Sequence, residues 1–107
     1  DRTKRPLMAA IACKYSDKVV LTSDNPRSED PKAILDEMKS GILTTDLKKV
    51  LIQTDRAEAI RTACMLAGDH DIVLVAGKGH EKYQEIAGIK YPFDDKLVLE
   101  QVMKSFA

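Results

Sequence analysis

The sequence predicts an α/β layered domain of the Rossmann-like kind, in which a mostly parallel sheet is flanked by helices. Three short runs rich in β-branched residues, at 18–22, 50–53 and 71–76, are typical of strands buried on both faces of such a sheet. The last run is the strongest strand signal. Between the runs, apolar residues recur three or four positions apart, which is the period of an amphipathic helix. Strands that alternate with helices over short connections favour right-handed crossovers.

The first predicted helix is indicated by its apolar face, and the second by the residues at its ends. The first places Leu7 and Ile11 on its apolar face. The second starts with Asp30 as N-cap and Pro31 in the first turn, and Gly41 is suited to the left-handed position just after a helix.

The last two predicted helices are also marked at their ends. Asp55 and Glu58 form a capping-box-like start for the third helix, which Gly68 closes. Either Asp94 or Asp95 can cap the fourth helix. The side chains expected to face inward from that helix are Leu97, Val98, Val102 and Met103.

A β-hairpin appended to the main sheet is predicted before the last helix, because the segments 83–86 and 89–91 flank Ala87-Gly88. We find no repeat, low-complexity segment or linker. With 107 residues, 44% of them hydrophobic, the chain fits one folded, soluble domain spanning 1–107.

Charge and cysteine content exclude several classes of protein. Seventeen basic and seventeen acidic residues cancel, which removes the broad positive field of a general nucleic-acid or membrane-surface binder. No apolar run approaches the ~20 residues of a membrane span, and no signal peptide is recognisable. Cys13 and Cys64 match no disulfide framework or CxxC motif, so we expect buried thiols in a reducing, cytoplasmic compartment.

Two polar loops follow predicted strands, at 23–30 and 77–82. Ligands of α/β folds bind where the carboxyl ends of strands meet their loops. These loops are therefore the candidate functional segments.

The first loop suits a zwitterionic, amino-acid-like ligand. Arg27 can hold a carboxylate through two parallel hydrogen bonds, Asp24 can neutralise an ammonium group, and Asn25 can serve either partner. The alternative is structural: Asp24 and Asn25 form an Asx-type turn, and Arg27 pairs on the surface with Glu29 or Asp30.

The second loop can accept an anion, since Gly77 and Gly79 let its backbone N–H groups approach a ligand closely. It is not a Walker A loop, and Lys82 stands where a dinucleotide fingerprint has its third glycine. Glu81 can bind an amine, although a solvated glutamate is the more ordinary interpretation.

Other chemistry has little support. His70 and His80 have no partner at metal-ligand spacing, and no nucleophile–base arrangement can be traced, so no catalytic residue and no metal ligand is assigned. Arg2, Lys4 and Arg5 form a small basic cluster before a proline-started helix. That cluster is either a phosphate site or, more ordinarily, a solvated charge run.

Both loops carry motifs of a known family. Segment 22–31, with its Asp-Asn-Pro-Arg sequence, resembles the motif of Mur ligases that add meso-diaminopimelate. Segment 76–84 resembles the second motif of these enzymes, and 4–8 resembles the segment that precedes both. The order and spacing agree over nearly the whole chain, which implies most of the C-terminal, amino-acid-binding domain of a Mur ligase.

The resemblance implies an ATP-dependent, amide-forming ligase. In this family ATP phosphorylates the terminal carboxylate of UDP-N-acetylmuramoyl-L-alanyl-D-glutamate, and the amine of diaminopimelate attacks the acyl phosphate. By this resemblance, ATP and Mg²⁺ would bind mainly outside this segment, and the N-terminal and central domains of the same enzyme would be its partners. The chain alone is expected to be inactive, and nucleic acids and membranes are not expected partners.

The resemblance also implies roles for residues. Asp24, Asn25 and Arg27 would recognise the distal end of meso-diaminopimelate, and Gly77 and Glu81 would complete the pocket. Lysine lacks the distal carboxylate of diaminopimelate, so its binding would leave Arg27 without a partner and would be disfavoured.

The match departs from the family at its start. It places a substrate-contacting arginine just before residue 1, so that role is not transferred to Arg2, while Lys4 would face the nucleotide. The first strands of the domain, the ATP loop and the catalytic lysine are not found, which indicates a fragment.

Two other functions remain open. One is a stand-alone α/β module that binds a phosphate or nucleotide at the Gly77 loop. The other is a structural or interaction domain whose loops are incidental turns.

Overall fold

The structure, a computed structural model, describes residues 4–23, 30–77 and 82–106. Within these residues it confirms the α/β class and all four predicted helices, and it adds a short 3₁₀ helix. In chain order the elements are α1 (Arg5–Tyr15), β1 (Val19–Leu21), α2 (Pro31–Lys39), the 3₁₀ helix (Thr44–Lys49), β2 (Val50–Ile52), α3 (Arg56–Leu66), β3 (Tyr83–Ile86), β4 (Ile89–Pro92) and α4 (Asp95–Ser105).

Strands β1 and β2 pair in parallel, with Val19 opposite Val50, and α2 lies in the crossover between them. Val19 and Leu21 are buried, as predicted. The prediction that β2 is also buried on both faces is wrong, since Leu51 and Ile52 are nearly half exposed. A two-stranded sheet has too little area for helices to cover both faces of each strand.

The predicted strand at 71–76 does not form, and this segment has no regular secondary structure. Ile72 is 94% exposed and Leu74 is 86% exposed, whereas Val73 and Val75 are partly buried. This alternation has the two-residue period of a strand. A strand also needs a hydrogen-bonded neighbour, and the described part of the chain supplies none for this segment.

Helix α1 packs through small side chains. Ala9 and Cys13 are buried, while Leu7 and Ile11 are exposed by about half, so the predicted apolar face is wrong. Small side chains allow α1 to approach β1 and α2 closely, and that approach decides which face is covered. The first core cluster consists of Ala9, Cys13, Val19, Leu21 and Leu35.

Helix α2 begins as predicted, since the Asp30 side chain accepts a hydrogen bond from the Lys32 amide at 3.1 Å. The left-handed conformation expected of Gly41 is not observed. This glycine instead allows a close approach: a Cβ atom there would lie 2.2 Å from the carbonyl oxygen of Pro6, in α1. The same two helices are joined by the Arg5–Glu37 ion pair at 3.2 Å.

Helix α3 is capped by Asp55, whose side chain accepts from the Glu58 amide at 3.0 Å. The second half of the expected capping box is replaced, because the Asp55 amide donates to Gln53 Oε1 at 3.2 Å. Helix α3 ends at Leu66, and the following Gly68 amide donates to the Asp71 carboxylate at 2.7 Å.

Helix α4 is capped by Asp94, which accepts from the Lys96 amide at 3.0 Å. Leu97 and Met103 are more than half exposed, so their predicted inward position is wrong. Leu99 takes their place in the interface with α3. The second core cluster consists of Ile60, Cys64 and Val102, with Val75, Phe93, Val98 and Leu99 packed against it.

The predicted hairpin β3–β4 forms, with Ile86 opposite Ile89. The prediction that it extends the main sheet is wrong, because in the described residues β3 and β4 form a two-stranded sheet separate from β1 and β2. The two turn residues of the hairpin both have positive φ, 51° at Ala87 and 79° at Gly88. Positive φ at both positions defines the primed turn that matches the twist of a hairpin.

Both cysteines are free and buried, as predicted. Burial raises the pKa of the Cys13 and Cys64 thiols.

Candidate functional site

The two candidate loops leave the fold at Ser23 and Ala76. Ser23 lies two residues after the end of β1, and Ala76 ends the segment that packs on the second core cluster. Of the predicted site residues, Asp24, Asn25, Arg27 and Glu81 lie outside the described residues, so their roles stay predictions.

One buried arginine connects the bases of both loops. Arg56, at the start of α3, is only 4% exposed. Its Nη1 donates to the Ser23 carbonyl at 3.3 Å and its Nη2 donates to the Ala76 carbonyl at 3.2 Å. Because a guanidinium is a rigid fork, the two carbonyl oxygens lie within about 9 Å of each other. The structure therefore brings the bases of the two predicted loops together.

Asp95, the first residue of α4, holds this guanidinium in place. Arg56 Nε donates to Asp95 Oδ1 at 2.7 Å, and Nη2 donates to Oδ2 at 2.6 Å. Two parallel charge-assisted bonds of this kind fix the orientation of both groups. The carboxylate also lies at the positive end of the α4 dipole. We call the set of Arg56, Asp95 and the Ser23 and Ala76 carbonyls the loop junction.

The base of the first loop has further hydrogen bonds. The buried Ser23 hydroxyl donates to the Thr54 carbonyl at 2.9 Å, and the Thr22 hydroxyl donates to the same oxygen at 3.2 Å. The Gln53 amide donates to the Leu21 carbonyl at 3.0 Å. These bonds attach the end of β1 to the connection that leads into α3.

Gly77 opens the second loop in a conformation that favours glycine. Its φ is +106°, and a Cβ atom built there would meet no atom of the described residues within 4 Å. A side chain at this position would be strained by the backbone rather than by its neighbours. Gly77 is exposed beside open space, which is compatible with the predicted approach of a ligand.

The basic cluster at the start of α1 is divided. Lys4 is exposed at the helix N-terminus, and its side chain makes no capping bond. Arg5 is partly buried in the ion pair with Glu37, and so contributes to helix packing. Arg2 lies outside the described residues.

No group of three His, Cys, Asp or Glu residues in the described ranges could hold a metal ion. In the same ranges, no helix has the length and apolar character that crossing a membrane requires.

A groove of about 650 Å³ lies away from the loop junction. It is formed where α3 and α4 end, with Met65, Gly68, Met103 and Phe106 among its lining residues. The junction lies where these two helices begin.

Sequence reasoning predicted both loops but missed the role of Arg56, and it treated Asp95 only as a possible cap. One signal was present. Arg56 directly follows the N-cap Asp55, where the helix dipole disfavours a cation. An arginine at that position therefore indicates a strong acceptor elsewhere in the fold.

Together, the short parallel sheet, the flanking helices and the junction that joins the bases of the two loops define an α/β domain with a candidate ligand site. The chain belongs to the Mur ligase family: residues 1–79 match the family model for the Mur ligase glutamate ligase domain. The resemblance noted in the sequence is thereby confirmed.

The chain is similar to curated ligases named UDP-N-acetylmuramoyl-L-alanyl-D-glutamate–2,6-diaminopimelate ligase. It is 62% identical to the protein of Cytophaga hutchinsonii and 50% identical to that of Aquifex aeolicus, over 96% of the chain in each case. A solved structure of a ligase with the same name superposes with a TM-score of 0.91 at 44% identity, over 99% of the chain. The chain spans 21% of the length of both relatives and 22% of the solved chain.

Proposed function

We propose that this chain is most of the C-terminal, amino-acid-binding domain of an ATP-dependent ligase. The ligase joins meso-diaminopimelate to UDP-N-acetylmuramoyl-L-alanyl-D-glutamate during peptidoglycan precursor synthesis in the cytoplasm. The observation that carries the proposal is the 62% identity to a ligase of that name across 96% of this chain, both loops included. The N-terminal and central domains of the same enzyme are the proposed partners.

The proposed ligand has the chemistry that the loops provide. Diaminopimelate has an ammonium and a carboxylate at its distal end, where lysine has only an ammonium. Arg27 binds the carboxylate through a two-pronged contact, Asp24 binds the ammonium, Asn25 can bond to either group, and Glu81 adds a second carboxylate. Gly77 supports this arrangement, since open space lies beside it.

The loop junction supports the proposal that both loops act on one ligand. Their bases are held by the same guanidinium, within about 9 Å. A seven-carbon diamino acid can contact two loops at that separation. Selection against lysine follows, because an arginine buried without its carboxylate costs about 1–3 kcal/mol.

The reaction itself depends on groups outside the described residues. ATP supplies the phosphoryl group that activates the accepting carboxylate, and Mg²⁺ accompanies it, but the described residues offer no cluster that fits the metal. The chain's contribution is to bind and orient the incoming amine, with Lys4 facing the nucleotide. The isolated chain is inactive because correct positioning requires the other domains.

The test is ATP-dependent ligation by the full-length enzyme that contains this chain, with the tripeptide product measured by mass spectrometry. Arg27→Ala should raise the KM for meso-diaminopimelate by about 10- to 100-fold, the equivalent of one lost charged contact. Arg61→Ala is the matched control, since Arg61 is 45% exposed and lies 4.0 Å from Glu58 in a surface pair. An Arg27→Ala enzyme with unchanged KM would overturn the assigned role.

The alternative of a stand-alone phosphate- or nucleotide-binding module is not favoured by the comparisons. Tight binding of ATP by the isolated chain, unchanged by Arg27→Ala, would support this alternative.

A further inference from the structure

We infer that Arg56 is a positioning residue for diaminopimelate binding, which it achieves by fixing the two candidate loops relative to each other. The inference rests on the proposed function, in which both loops contact one ligand. Arg56 lies behind the loops, bonded to the main chain at the base of each.

The bonding pattern of Arg56 indicates more than an ion pair. An ion pair with Asp95 alone would need one edge of the guanidinium, and Nε and Nη2 form that edge. The remaining donor capacity is directed at two main-chain carbonyls from segments 53 residues apart, Ser23 and Ala76. A lysine has no rigid fork and cannot reproduce this simultaneous contact.

Both carbonyl groups that Arg56 bonds lie where the proposed binding segments begin. The Ser23 carbonyl belongs to the peptide that joins Ser23 to Asp24, and the Ala76 carbonyl belongs to the peptide that joins Ala76 to Gly77. Each bond is therefore made to the first peptide group of a proposed binding segment. A shift of either peptide moves one half of the pocket away from the other.

The arrangement is also held from outside the loops. Asp95 fixes the guanidinium from α4, and the Ser23 hydroxyl fixes the same stretch of chain to Thr54. With these bonds the separation of the loops is set before the ligand arrives, which reduces the ordering cost of binding. Loss of the fork should therefore weaken diaminopimelate binding and leave ATP binding unchanged.

The test compares two variants of the full-length ligase that both lack the ion pair. Asp95→Asn keeps the guanidinium and its bonds to the two carbonyls. The double variant Arg56→Met/Asp95→Asn removes those bonds and leaves no unpaired buried charge, so it should unfold at a temperature no lower than that of Asp95→Asn. Arg56→Lys is a further variant, which keeps a cation beside Asp95 without the fork.

The expected result is a KM for meso-diaminopimelate about 10- to 100-fold higher in the double variant than in Asp95→Asn, with the KM for ATP equal in both. Arg56→Lys should show the same split between the two substrates. Equal KM values for diaminopimelate in the two matched variants would overturn the positioning role, and a parallel rise for ATP would indicate a general structural defect and overturn it too.

A native enzyme that does not use diaminopimelate would refute the proposed function separately. In that case amide hydrogen exchange decides the present inference. Faster exchange at 22–23 and 76–77 in the double variant than in Asp95→Asn would support the junction as the element that fixes both loops. Equal exchange would contradict it.

Discussion

Adding a single methyl group at Gly41 should destabilise the contact between α1 and α2. The Cβ atom of Gly41→Ala would lie 2.2 Å from the Pro6 carbonyl oxygen and 2.7 Å from the Pro6 Cα, whereas ordinary contacts begin at 3.4 Å. The obstructing atoms are backbone, so the start of α1 must move by about 1 Å. Overpacking of this kind costs about 1–3 kcal/mol, and a backbone obstruction places Gly41→Ala near the upper end.

The assay is urea or thermal unfolding of the chain followed by far-ultraviolet circular dichroism. A loss of about 3 kcal/mol lowers the melting temperature of a domain this size by roughly 10–20 °C. Gly68→Ala is the matched control, because the nearest atom to its added Cβ is Asp71 Oδ2 at 3.5 Å and its φ is not positive. That variant should gain about 0.4–1 kcal/mol. Equal effects of the two substitutions would refute the close-approach argument.

Three further predictions concern the core, the thiols and the exposed segment. Leu35→Ala should cost about 2–5 kcal/mol in denaturant unfolding, because Leu35 is 1% exposed in the first core cluster; a cost below about 1 kcal/mol would contradict that burial. Burial raises the pKa of Cys13 and Cys64 above the ordinary 9.0, so the folded chain retains these protons longer than the unfolded chain. Stability should be full below pH 9 and fall as the pH rises above it, and the slope should shrink in Cys13→Ala/Cys64→Ala. Leu74→Ser should leave the free energy of unfolding of the chain within about 0.5 kcal/mol of the native value, because Leu74 is 86% exposed; a larger loss would show that the side chain is covered.

The elements that sequence reasoning predicted well are those decided by neighbouring residues. The caps at Asp30 and Asp55 bond amides two and three positions ahead, and the hairpin turn depends on Ala87 and Gly88 alone. The polar loops are predicted from information of the same kind, since composition and position after an apolar run are local properties. Local chemistry carries this information without knowledge of the rest of the fold.

The predictions that failed depend on distant partners. Segment 71–76 has the apolar alternation of a strand, but strand formation requires a hydrogen-bonded neighbour. The apolar face of α1 was assigned from Leu7 and Ile11, whereas close packing against other elements selected Ala9 and Cys13.

The loop junction was not predicted either, because it also depends on partners that are distant in the sequence. Arg56 bonds residues 33, 20 and 39 positions away, so no local pattern identifies its partners. The residues proposed to contact the ligand are predicted from local motifs, whereas Arg56, proposed to position those motifs, is identified only in the folded structure.

The most direct test of the central claim is a competition assay with the full-length ligase. Meso-diaminopimelate and L-lysine are offered together with ATP and UDP-N-acetylmuramoyl-L-alanyl-D-glutamate, and the ratio of the two products is measured for the native enzyme, Arg27→Ala and the control Arg61→Ala. We expect a strong diaminopimelate preference in the native enzyme and in Arg61→Ala, and a preference reduced by about 10- to 100-fold in Arg27→Ala. Equal use of both amino acids by the native enzyme would contradict the proposed function.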